Sequence, residues 1–167
     1  MTTTTNTPGT STPNTAPTGI SSAHAGLLND LLQLNHDSAE GLAKAKELAT
    51  SAKLKTLFDG ARTERMSAVQ ALEPLVRAAG GKPDKDLSVS GSLRRTWMKI
   101  RETLSPDGDK ALIMEVERAE DEMKEAYQEA MRKPLPPAIK PVIEAQARQV
   151  FAVHDTFSNL KHGRSSL

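Results

Sequence analysis

The side chains whose type and spacing suit metal-centred chemistry are Glu64, Glu120 and His154, with Asn35, Arg65 and Gln146 close to them on helical stretches. A dinuclear centre in a helical bundle takes one Glu from each of two helices and a Glu-x-x-His pair from each of the other two. The carboxylates neutralise two hard cations and the imidazoles complete the coordination. Here that pattern is partial. Glu64 stands where the carboxylate of a second helix belongs, but three residues later comes Ser67, not His. His154 stands where a fourth-helix imidazole belongs, but three residues earlier is Phe151, not a carboxylate. Glu120 serves the third helix, with Glu117 a turn away on a more exposed face. The first helix offers Asn35 on its core face and Asp30, His36 and Glu40 at less favourable angles. Iron, manganese or zinc would be the ions for such a donor set, yet a complete dinuclear centre is not expected and no cofactor is assigned. Arg65 argues against one, since a cation beside the carboxylates opposes binding of another. The competing expectation is a hydrogen-bonded layer of Asn35, Glu64, Arg65, Glu120 and Gln146. Such a layer fixes helix register more than it adds stability, because buried ion pairs roughly break even against desolvation.

Helices must position these groups, and the apolar spacing supplies them. Leu28, Leu31, Leu32, Ala39, Leu42 and Ala49 recur every three or four residues, which predicts a helix over 23–49. Ser51 is the expected N-cap of a second helix, whose stripe runs from Leu54 to Ala79 and stops at Gly80-Gly81. Pro74 lies inside it, so a kink is expected there. A loop over 82–91 and a short helix from Ser92 to about Thr103 follow. Ser105-Pro106 fits the start of a third long helix, carrying Leu112, Val116, Ala119, Met123 and Tyr127 and ending before Pro134. The fourth stripe spans Ile139 to Leu160. Hairpin register then sets Asn35 to Ser38 level with Glu64 to Ser67, and Glu120 level with Val150, within a turn of Gln146 and His154. No strand is expected.

Two short turns make antiparallel hairpins of helices 1–2 and 3–4. Helices of about 25 residues measure about 37 Å, and the connection between hairpins is long enough to travel that length. The expected fold class is therefore all-α: a ferritin-like antiparallel four-helix bundle with a long crossover, containing a short helix, between helices 2 and 3. The expected organisation is a disordered Thr/Pro-rich tail over 1–22 and a bundle domain over 23–162, since the tail has almost nothing apolar to bury.

The strings LNDLLQLNHDSAEG, ARTERMSAV, GSLRRTWMKI, EVERAEDEM and VHDTFSNL, in that order, carry a resemblance over residues 24 to 161. The chain resembles an uncharacterised bacterial family of ferritin-like four-helix-bundle proteins, known only as a domain of unknown function. That resemblance implies the ferritin-like fold and a general association with stress responses. It implies no established activity.

Composition narrows the rest. The 167 residues hold no Cys, which excludes disulfides, zinc ribbons, iron–sulfur clusters and a thiol nucleophile. With 22 Lys+Arg against 21 Asp+Glu, the net charge of +1 argues against nucleic acid as a partner. No apolar run approaches the ~20 residues that cross a bilayer. The tail lacks the basic and apolar regions of a secretory signal, so the expected address is cytoplasmic. Arg94, Arg95, Lys99 and Arg101 around Trp97 form the one basic cluster with an aromatic, expected to pack Leu93, Trp97 and Ile100 on the bundle with the charges in water. The acidic run of the third helix, Glu115 to Glu125, is expected to be mostly a solvated face paired to Arg118 and Lys124. The pairs His36-Asp37 and His154-Asp155 are expected to cap or cross-link helices. The leading functional expectation is a non-enzymatic structural or interaction module, with a protein partner or a second copy as its target. A metal-binding or redox protein using Glu64, Glu120 and His154 is the alternative.

Overall fold

The computed structural model describes residues 19–84 and 108–164. They form a short 3-10 turn, Ser22–His24, and the helices α1 (Ala25–Leu48), α2 (Ala52–Ala78), α3 (Gly108–Arg132) and α4 (Lys140–Lys161). Among the described residues there is no strand. The expected short helix at 92–103, the Ser105-Pro106 cap, the basic cluster around Trp97 and most of the tail lie outside the described residues. Of the tail's last residues, Ile20 packs on the core and Ser21 pairs with His24 across the first turn.

Local chemistry explains the helix ends. Ser51 Oγ accepts from the Leu54 amide at 3.3 Å, the side-chain cap that starts α2. At its other end Gly80 takes φ +75°, where a Cβ would be strained. The Gly81 amide then reaches the Val76 carbonyl and the Gly80 amide reaches Arg77, both at 2.9 Å, so the last carbonyls of α2 are satisfied. α2 continues through Pro74 to Ala78. Before α4 the Pro136 carbonyl accepts from Ile139 and Lys140, closing the turn that the prolines stiffen.

α1 packs on α2 and α3 on α4 as two hairpins, while α1 also meets α3 and α2 meets α4. Specific contacts give the directions. Asp109, at the start of α3, binds Thr50 and Ser51 beyond the end of α1, and Tyr127 meets Asn35 near its middle. α1 and α3 are thus antiparallel. Phe58 stacks on Phe157 with centroids 5.4 Å apart, and Gln146 reaches the Ala68 carbonyl, so α2 and α4 are antiparallel too. Asp84 pairs with Asn29 and Gln33 at the opening of α1, whereas α3 begins at its close.

The core comes in two parts. One gathers Leu28, Leu32, Leu72, Val76, Tyr127 and Ile143. The other gathers Leu42, Leu54, Phe58, Val116 and Phe157. Each fully buried Leu or Phe contributes about 1.5–3 kcal/mol, so the two apolar ends supply the stability. Between them lies a belt of buried polar groups.

Candidate functional site

Asn35, Asp37, Ser38, Arg65, Glu117, Glu120, Gln146 and His154 are buried where the two apolar clusters part. They separate into a neutral chain, an ion pair and a cluster in the seam between α3 and α4.

The neutral chain touches all four described α-helices. Asn35 on α1 donates through Nδ2 to the Leu31 carbonyl and to the Tyr127 hydroxyl, both at 2.7 Å. Tyr127 on α3 donates to Gln146 Oε1 on α4 at 2.9 Å. Gln146 Nε2 completes the circuit at the Ala68 carbonyl of α2, 3.3 Å away. Burial pushes the Tyr127 hydroxyl up to about 12, against the opposing pull of the Asn35 hydrogen bond and the Arg65 charge. The group therefore stays a phenol and keeps its proton to donate. Asn35 Oδ1 is buried with no partner.

The ion pair is as deeply placed. Arg65 and Glu120 are each 1% exposed, and the guanidinium Nη2 donates to Glu120 Oε2 while Nε donates to Ser38 Oγ at 3.3 Å. Burial pushes the Glu120 carboxyl above the ordinary carboxylate range. Arg65, and to a lesser degree His154, pull it down, and Glu64 pushes it further up. Glu64 is half-buried, with one carboxylate oxygen, Oε2, fully enclosed and without a partner.

In the seam, His154 is 8% exposed. Its Nε2 lies 2.8 Å from Asp121 Oδ1 on α3 and its Nδ1 lies 3.1 Å from Asp155 Oδ1. Lys124 Nζ approaches Nδ1 at 3.4 Å. Glu117, placed by the helical wheel on a more exposed face, is 4% exposed because Lys161 of α4 lies over it and donates to Oε2 at 2.6 Å. One ligand atom each from Glu117, Asp121 and His154 lie within 4.8 Å of one another, the one such group among the described residues.

Asn35, Gln146, Arg65 and Glu120 thus share one layer, and Glu64 stands near enough to Glu120 to repel it. Glu64, Glu120 and His154 do not gather into one ligand set: Glu120 is held by Arg65, and His154 turns its nitrogens to Asp121 and Asp155. The donors of the layer do not fit a dinuclear metal centre, since a guanidinium holds its most buried carboxylate. Sequence reasoning missed Tyr127, Asp121 and Lys161 as members of the site. Tyr127 carried a readable signal: it lies on the apolar stripe of α3, and a buried tyrosine hydroxyl demands a partner. Asp109 was missed as well. Its carboxylate ties the α1–α2 turn to α3 through Thr50 N, Thr50 Oγ1 and Ser51 N at 2.7–2.8 Å. Burial pushes that carboxyl up, but the hydrogen bonds from Thr50 and Ser51 outweigh it and hold it below its ordinary value.

Fold and site together define, over the described residues, an all-helical arrangement of four long helices with a buried polar layer across its middle, and no described helix is long and apolar enough to cross a membrane. Residues 24–133, from the start of α1 to the end of α3, match the model of the Domain of unknown function DUF2383, and the chain belongs to that family. No curated protein matches it.

Proposed function

We propose that this chain is a ferritin-like bundle in which a fixed polar layer stands where a metal centre would, and that it works as a non-enzymatic structural or interaction module. The observation that carries this reading is the Arg65–Glu120 pair. A guanidinium anchored on Glu120 and Ser38 already supplies the positive charge that a metal ion would bring to buried carboxylates. The ferritin-like arrangement is supported by the placement of Asp84 and Asp109 against opposite ends of α1. On this reading the domain spans 23–162 behind a tail of residues 1–22, the protein is cytoplasmic and bacterial, and it binds a protein partner or a second copy of itself.

The test is metal analysis of untagged full-length protein purified without chelator, alongside iron(II)-dependent oxygen consumption. The expected result is no oxygen consumption and no ion whose retention needs Glu64. Stoichiometric metal that disappears in Glu64→Ala, with turnover of iron(II), would establish the alternative of a metal-binding or redox protein.

A further inference from the structure

We propose that Glu117, Asp121 and His154 form a mononuclear site for a divalent first-row transition metal, in the seam between α3 and α4 and separate from the Arg65–Glu120 pair. Glu117 and Asp121 are four residues apart on α3, so their carboxylates occupy one helix face. His154 comes from α4, and the three ligand atoms lie within 4.8 Å of one another. Glu117 and His154 are more than nine-tenths buried, so two of the donors are held in place before any ion arrives. One imidazole with two carboxylates is an N/O set suited to zinc, manganese or iron(II), and three protein ligands leave further positions to water.

The surroundings of the imidazole show how it would be oriented. Both ring nitrogens face carboxylate oxygens, Nε2 at 2.8 Å from Asp121 and Nδ1 at 3.1 Å from Asp155. A neutral imidazole carries one N–H; with that proton on Nε2 towards Asp121, Nδ1 faces Asp155 with Lys124 Nζ 3.4 Å away as its donor. A dication on Nε2 would replace that proton and take Asp121 as its next ligand. Nδ1–H then donates to Asp155, the carboxylate–histidine–metal relay that orients a ligating imidazole. Two lysines balance the cluster: Lys124 at 3.4 Å from Nδ1 and Lys161 on Glu117. The Lys161 side chain is one-third exposed, so it can swing into water and hand Glu117 Oε2 to the ion. Metal binding here is an exchange of that ammonium for a dication.

The measurement is calorimetric titration of the stripped full-length chain with Zn2+ at neutral pH, repeated with Co2+ to read the ligand-field absorption. The expected result is one equivalent bound, with affinity reduced about tenfold or more in His154→Gln and in Asp121→Asn. Asp121 is half exposed, so its variant keeps the fold even if His154→Gln does not, and a thermal melt checks both. Lys161→Gln is expected to tighten binding, and His162→Gln to leave it at the wild-type value. Glu64→Ala is also expected to bind as wild type, which separates this site from any ion held in the central layer. No binding by the wild-type chain, or equal binding by Asp121→Asn, would overturn the site and leave His154 as a hydrogen-bonded link between α4 and α3.

Discussion

The two arms of the buried layer join the helices by different chemistry. In one, Asn35, Tyr127, Gln146 and the Ala68 carbonyl pass a chain of neutral hydrogen bonds from α1 through α3 and α4 to α2. In the other, Arg65 of α2 reaches Glu120 of α3 and Ser38 of α1 with full charges. Neutral groups are desolvated at modest cost and each link returns about 1 kcal/mol. Ions lose several kcal/mol of hydration apiece, and their attraction does little more than restore it. The neutral arm is therefore a graded clamp. The charged arm behaves as a unit whose halves are tolerable only together.

The sharpest break of that comparison is Arg65→Met. It leaves Glu120 enclosed with no cation to offset its burial, and the expected loss is about 3–5 kcal/mol in urea unfolding. Replacing both partners, as Arg65→Met with Glu120→Leu, is expected to recover most of it, because no charge is then buried. A double variant as damaged as the single one would show that the pair itself, and not the stranded carboxylate, sustains the fold.

Tyr127→Phe tests the neutral arm. The ring volume stays, while Gln146 Oε1 loses its donor and one Asn35 N–H loses its acceptor. The expected loss is about 1–3 kcal/mol, smaller than for Arg65→Met. A larger loss than Arg65→Met would reverse the order of the two arms.

The same residue sets a pH dependence. The folded hydroxyl sits at about 12 against 10.0 for the free group, so the folded state holds its proton more tightly. Its contribution is complete below pH 10 and is lost as pH rises from 10 towards 12. Because the chain has one Tyr, phenolate absorbance reports it alone. The expected titration lies near 10 in the urea-unfolded chain and well above that in the folded one. Coincident curves would mean that the hydroxyl reaches water.

Much of this layer was legible in the sequence, and the reason is periodicity. Asn35, Arg65 and Gln146 fall inside apolar stripes, and an inward polar residue at helical spacing announces its burial. Hairpin register brought Ser38 level with Arg65, as their contact has it. The pairing across the bundle was not legible. Whether Glu120 meets Arg65 or His154 depends on helix rotation by a fraction of a turn and on side-chain reach, which spacing does not encode. Glu117 shows the same limit. The wheel turns it outward, but the long Lys161 side chain of the neighbouring helix covers it. Asp109 was hidden for another reason: its partners are backbone amides of a turn some sixty positions away, and amides carry no sequence signature.

The smallest effect sharpens the boundary of the charged arm. Glu64 pushes the Glu120 carboxyl up, so the two repel, and its enclosed Oε2 meets no donor. Arg65 makes its hydrogen bonds to Glu120 and Ser38. On this geometry Glu64 is a bystander to the pair. Glu64→Gln removes the repulsion, keeps the shape and offers an N–H in place of one oxygen. The expected outcome is a stabilisation of about 0.5 kcal/mol or less, the scale of a partly exposed charge contact. A loss above about 1 kcal/mol would mean that Glu64 accepts a hydrogen bond inside the layer. The charged arm would then be a triad drawing its second carboxylate from α2, and Arg65→Met would have to be read as stranding two carboxyl groups in place of one.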